Sequence, residues 1–139
     1  MEKLSVTLYW SARLIAVIIL SQTLFFKFSG SPESVYIFTT VGMEPWGRIS
    51  IGILELVAAV LLLINSTAWL GSGLALGLMS GAILMHLTKL GIAVQGDRGY
   101  LFFLAVAVTV CSAFVLFRNR RTIESGIRFV VDRLRMNPN

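Results

Sequence analysis

Long apolar runs separated by short polar breaks organise this chain. A membrane-crossing helix needs roughly 20 mostly apolar residues. Four stretches approach or exceed that length: 4–28, 48–64, 68–90 and 100–117. The second sits at the lower limit, and Trp46 and Asn65 extend it at its two ends. The pattern predicts an all-α fold, a bundle of four transmembrane helices.

The breaks between the runs carry their own signals. Ser31-Pro32-Glu33 reads as a helix start, with Ser31 as N-cap and Pro32 in the first turn. Gly42 ends that helix, so 32–41 is expected to form a short interfacial helix between spans one and two. Glu44-Pro45-Trp46-Gly47 turns the chain back, Asn65-Ser66-Thr67 is a tight uncharged turn, and residues 95–99 form a polar loop. After Arg121 the apolar residues Ile123, Ile127, Val130, Val131 and Leu134 recur at helical spacing, while Arg128, Asp132 and Arg135 fall largely elsewhere. The chain therefore divides into a four-span membrane domain, 1–121, and a basic amphipathic tail, 122–139. The tail suits an inner-leaflet surface, with a docking helix for a cytosolic partner as the alternative.

Composition agrees with a bilayer. Of 139 residues, 56% are hydrophobic and 14% charged, and the mean hydropathy is +0.81; soluble domains carry about 25% charged residues. The formal net charge is +5, but the basic residues flank apolar runs. Anionic lipid and topology explain them, and nucleic acid is excluded as a partner. The cluster Arg118, Arg120, Arg121, Arg128, Arg133 and Arg135 places the C-terminal end in the cytoplasm, and four spans return the N-terminus to the same side. The first run lacks a small-residue cleavage site, so it reads as a retained helix.

Within span three, Gly73, Gly77 and Gly81 stand four apart on one helix face, with Ser80 beside it. Small residues at this spacing allow close backbone approach in lipid. The expectation is tight packing inside the bundle, with a homo-oligomer contact as the alternative.

Glu55 interrupts the run ISIGILELVAAVLLLI. An ionisable residue at such a depth is a candidate functional group, and structural glue is the competing reading. A helical rise of ~1.5 Å per residue puts Glu55 roughly 10 Å below the outer interface, and His86 and Gln22 at about 6 Å. These three are expected to meet in the outer half of the bundle, rimmed by Lys27, Arg48 and Lys89. Arg13 either reaches Glu55 or snorkels toward the inner phosphates.

Self-contained chemistry is not encoded in any recognisable motif. One histidine and one cysteine, Cys111, supply neither a metal-ligand cluster nor a disulfide pair. Met43, Met79 and Met85 read as packing residues. Phosphate-loop, dinucleotide, serine-elbow and zincin patterns are missing.

The features taken in order resemble the DoxX-like family of small bacterial membrane proteins. The resemblance rests on Arg13 in span one, KFSGSPESVYIFTTVGMEPWGR, GILELVAAVLLL and ALGLMSGAILMHL, and covers about residues 13–117. It implies a four-helix bundle in the bacterial inner membrane, and an accessory place in a quinone-linked redox system. That family is named from a subunit associated with quinol oxidation and thiosulfate:quinone oxidoreduction. On this reading a quinone headgroup lies near Glu55, which relays a proton, and His86 hydrogen-bonds a quinone oxygen. The electrons come from other membrane redox subunits. A scaffold or assembly factor without catalysis is the alternative, and a small-molecule transporter a third. Related quinone-linked bundles that make disulfides use cysteine pairs, which a single Cys111 does not provide.

Overall fold

The computed structural model describes residues 2–136; the last three residues of the expected tail, 137–139, lie outside the described residues. All regular structure among the described residues is helical. The elements are α1 (Glu2–Ser29), α2 (Pro32–Thr40), α3 (Trp46–Leu63), α4 (Ala68–Met85), α5 (Tyr100–Arg118) and α6 (Arg120–Met136). Helix α4 runs on into a π-helical turn, His86–Leu90.

Four segments are long and apolar enough to cross a membrane: Lys3–Ser29, Trp46–Leu63, Ala68–Leu90 and Tyr100–Arg118. Their outward faces are apolar, with Ile18, Phe25, Leu84, Phe103 and Val110 all more than half exposed. A monomeric soluble domain does not present so continuous an apolar surface. The chain is a multi-pass helical membrane protein.

Consecutive long helices run antiparallel and pack side by side. Each of α1, α3, α4 and α5 contacts its neighbour in the chain, and α5 closes onto α1. The core is built mostly of small side chains. Ala12, Ala16 and Leu20 of α1 meet Ala58, Ala59 and Leu62 of α3, with Ala68 and Ala75 of α4 and Ala105 and Val108 of α5 completing it. Lipid tails are as apolar as leucine, so burial alone gives these helices no reason to associate; close van der Waals contact does.

The closest approach in α4 is at Gly71. A Cβ there would lie 2.6 Å from the Leu62 backbone nitrogen and 2.9 Å from the Ala58 carbonyl oxygen. The buried face of α4 is Ala68, Gly71, Ser72, Ala75 and Met79. Gly73, Gly77 and Gly81, expected to make the tight contact, have open space around each Cβ position. The physical reason is that α4 is apolar on every side, so spacing reveals two small-residue stripes without showing which one turns inward. Ser80 likewise bonds within its own helix, to Leu76 O at 2.7 Å.

The α2 segment forms where its signals predict. Ser31 Oγ accepts from the Ser34 N–H at 3.3 Å. Its C-terminus closes with Gly42 at φ +79, and the N–H groups of Gly42 and Met43 donate to Thr39 O and Phe38 O at 3.0 and 2.8 Å. A side chain is disfavoured at that φ, which is why glycine stands there.

Gly71→Ala is expected to destabilise the fold by about 1–3 kcal/mol, because its methyl meets α3 backbone that cannot move aside. Gly77→Ala is expected to be neutral or slightly stabilising through helix propensity. Thermal unfolding of both variants in one detergent checks the contrast.

Candidate functional site

The charged side chains inside the bundle collect along the seam between α1 and α3, while the buried Ser72, Ser112 and His86 lie on α4, α5 and the π-helical turn. On α1, Thr23 and Lys27 stand one turn apart and share a face. Lys27 Nζ lies 2.9 Å from Glu55 Oε2, with the side chains 14% and 2% exposed. Thr23 Oγ1 lies 3.3 Å from the same oxygen and 2.9 Å from Leu20 O, so its single proton serves both acceptors. Lys27 roots near the end of α1 and threads its methylenes down the seam; Glu55 sits halfway along α3. The pair is charge-balanced and shielded from outside.

Two arginines close this seam at its ends. Arg48, in the first turn of α3, donates Nη1 to Lys27 O, one of the last carbonyls of α1. Its Nε and Nη2 grip Glu44 at 2.9 and 2.7 Å. At the far end Arg13 of α1 donates Nε to Leu62 O, one of the last carbonyls of α3, and Nη1 to Asn65 Oδ1, both at 2.6 Å. The last four carbonyls of any helix lack intrahelical partners, and lipid offers none. Each helix of the pair thus supplies an arginine that satisfies the other's C-terminus, where a cation also suits the helix dipole. Fourteen residues separate Arg13 from Lys27, and fourteen separate Arg48 from Leu62. Both clasps therefore hold one antiparallel register, about 21 Å apart.

That register corrects the expectation for Arg13. Leu62 lies seven residues beyond Glu55, about 10 Å further along α3. Arg13 is level with Leu62 and fully buried, with its guanidinium carbon 3.9 Å from the Trp10 ring centroid and 5.3 Å from that of Tyr9. It bonds the end of α3 and its turn, and Glu55 takes its cation from Lys27 instead.

The other expected members bond elsewhere. Gln22 is exposed, and its Nε2 donates to the Tyr100 hydroxyl at 3.1 Å, joining α1 to α5. His86 is buried, but its Nδ1 lies 2.9 Å from Gly91 O, which can only accept. That fixes the proton on Nδ1. The ring packs edge-on to Phe102 at 5.7 Å. Lys89 is exposed. Lys27, expected on the rim, is the central partner, because a lysine stem is long enough to bury its methylenes while its amine reaches inward.

Sequence reasoning missed three contributors. Thr23 is betrayed only by its i−4 spacing from Lys27. Asn65 sits in the turn after α3, where its role depends on the register of Arg13. Asp97 is the third: its carboxylate accepts from the N–H groups of Val94, Gly99 and Leu101 at 2.7, 2.8 and 2.9 Å. Burial acts to raise the Asp97 carboxyl, but these three donors, aided by His86 nearby, outweigh it and hold it below the ordinary value. Asp97 so ties the loop to the otherwise uncapped start of α5.

No group of metal-ligand residues occurs among the described residues. Cys111 is partly covered on α5 and packs against the core. No family model, curated protein or solved structure matches this chain.

Removing one member of the Lys27–Glu55 pair strands the other. Lys27→Met leaves a carboxylate deep in the seam and is expected to cost about 3 kcal/mol or more. Glu55→Gln should cost less, since the lysine can swing toward the nearer membrane interface. Lys27→Met/Glu55→Leu should recover most of the loss, measured by unfolding in a fixed detergent; a larger loss in Glu55→Gln than in Lys27→Met contradicts this geometry.

Asp97→Asn is expected to destabilise the protein by about 1 kcal/mol at neutral pH, the usual worth of a helix cap. Because the folded carboxyl titrates below its unfolded value of ~3.9, the stabilisation is complete above that value. It fades as pH falls through the lowered folded value. Unfolding midpoints of the two proteins over a pH series should converge only at the acid end.

Proposed function

We propose that this chain is a non-catalytic subunit of a bacterial inner-membrane assembly of the DoxX-like, quinone-linked redox type, and that it works by holding a partner's transmembrane helix. The observation that carries this reading is the free stripe on α4. Gly73, Gly77 and Gly81 meet nothing within contact distance of a Cβ, while the opposite face of the same helix is packed. A stripe of this kind lets a second helix approach to backbone contact in lipid. Glu55 supports the same reading, since its charge is already answered by Lys27 and Thr23. The resemblance of the GILELVAAVLLL and EPWGR stretches to the family supplies the redox context, and the catalytic centres belong to the partner.

In this arrangement both termini are cytoplasmic. The arginine-rich end of the bundle follows the positive-inside tendency. Helix α6 lies on the inner leaflet, with Ile127, Val130, Val131 and Leu134 exposed for the acyl region and its arginines directed to headgroups. Helix α2 lies at the outer interface between the first two spans.

The test is purification from native membranes in a mild detergent, with mass spectrometry of co-purifying chains and bound small molecules. The wild type should carry membrane subunits, and Gly77→Leu should lose them at unchanged expression and folding. Retention of every partner in Gly77→Leu sinks the proposal. A stoichiometric quinone in the isolated chain, lost in Glu55→Gln, overturns it in favour of a direct quinone site.

A further inference from the structure

The end of the bundle opposite the Lys27–Glu55 pair carries an excess of arginines and, among the described residues, no ion pair; Glu124, one turn along α6, is not within ion-pair distance of any of them. Arg13 is fully buried, bonds only a carbonyl and an amide, and leaves its Nη2 without a partner. Arg118, Arg120 and Arg121 follow at the junction of α5 and α6. The two ion pairs among the described residues, Lys27–Glu55 and Arg48–Glu44, both lie at the other end. Buried or clustered charge in a low-dielectric setting calls for an anion.

Two open clefts meet at Arg118. One, of about 360 Å³, is lined by Phe117, Arg118, Arg120 and Arg121. The other, of about 260 Å³, is lined by Val6, Tyr9, Asn65, Arg118 and Asn119. Neither lining includes a carboxylate. The second is walled by the residues in front of Arg13: Asn65 accepts from its Nη1, and the Tyr9 ring faces its guanidinium. Much donor capacity remains unspent. Arg118 commits one bond, from Nη2 to Ser5 Oγ at 2.6 Å. The Tyr9 hydroxyl accepts from Asn119 Nδ2 at 2.8 Å and keeps its own proton to donate. Arg120 lies with its guanidinium carbon 4.4 Å from the Phe117 ring centroid, which orients it without neutralising it.

From this juxtaposition we propose that the clefts at Arg118 form a binding site for an anionic phospholipid. Its phosphodiester sits against Arg118, Arg120 and Arg121. Its headgroup hydroxyls reach Tyr9, Asn65 and Asn119. A lipid, and not a free phosphate ion, fits the surroundings: the clefts lie at the ends of membrane spans, and Phe117 and Val6 expose apolar surface beside them for the acyl chains. Arginine suits this task because its planar fork donates two parallel bonds to one phosphate. The bound anion also answers the charge of Arg13 one layer behind. The inference depends on membrane embedding and is independent of the partner stripe on α4.

The experiment is native mass spectrometry of the full chain in detergent supplied with equal amounts of phosphatidylglycerol and phosphatidylcholine of the same acyl chains. The wild type should retain one phosphatidylglycerol in preference to phosphatidylcholine. Arg120→Gln/Arg121→Gln, both exposed positions, should weaken that retention roughly fivefold for each arginine removed. Arg118→Lys keeps the charge but loses the two parallel bonds, so it should weaken retention, and Arg118→Gln should weaken it further. Arg133→Gln/Arg135→Gln removes equal charge further along α6 and should leave it unchanged. Equal retention of the two lipids, equal loss in the distal pair, or displacement of the lipid by inorganic phosphate alone overturns the proposal. Loss of partner subunits in Gly77→Leu with lipid retained separates failure of one proposal from failure of the other.

Discussion

A polar group inside hydrocarbon must find its partner within the protein, and the α1–α3 seam is where this chain meets that demand. Arg48 satisfies the end of α1 and Arg13 satisfies the end of α3. Between them Lys27 neutralises Glu55. The three contacts agree on a single register, and a shift by one turn would break all of them together. Apolar packing in lipid does not resist such sliding strongly, because one leucine environment resembles the next. Charged and hydrogen-bonded contacts do resist it. This makes the seam the element that fixes how the first hairpin is aligned.

The second hairpin is held by different physics. Gly71 brings α4 to backbone contact with α3, and α5 fills the remaining side with Ala105, Val108 and Val115. Polar cross-links are few: Gln22 with Tyr100 at one end, and Asn119 with Tyr9 and Arg118 with Ser5 at the other. The loop before α5 is secured by Asp97, which replaces the missing helical acceptors of that terminus. Helix α4 therefore stands with one face packed and the other open, and the open face is the one a further helix can use.

The two ends of the bundle differ in electrostatic state. At the Lys27 end, Lys27 and Arg48 are each matched to a carboxylate within hydrogen-bonding distance. At the Arg118 end, arginines are held by carbonyls, amides, a hydroxyl and aromatic faces, all of which orient a guanidinium without cancelling its charge. Such an asymmetry suits a membrane whose inner leaflet is anionic. It also means that Arg13, for all its burial, belongs to the electrostatics of the interface and not to those of Glu55.

Run length and hydropathy alone determined the four spans, because lipid sets a minimum apolar length that sequence displays directly. Local signals determined α2 as well, since Ser31, Pro32 and Gly42 act on backbone within a few residues. The burial of Glu55 was legible for the same reason: a carboxylate inside an apolar run has nowhere polar to go by itself. Which cation answered it was not legible. Arg13, Lys27 and Arg48 were all plausible until the register of α1 against α3 was known, and depth counted along one helix cannot supply that register. The inward face of α4 was equally hidden. Gly71 and the Gly73–Gly77–Gly81 stripe carry the same small-residue signal, and a helix apolar on all sides has no polar face to turn outward and so orient it. Only contact with the α3 backbone decided between them.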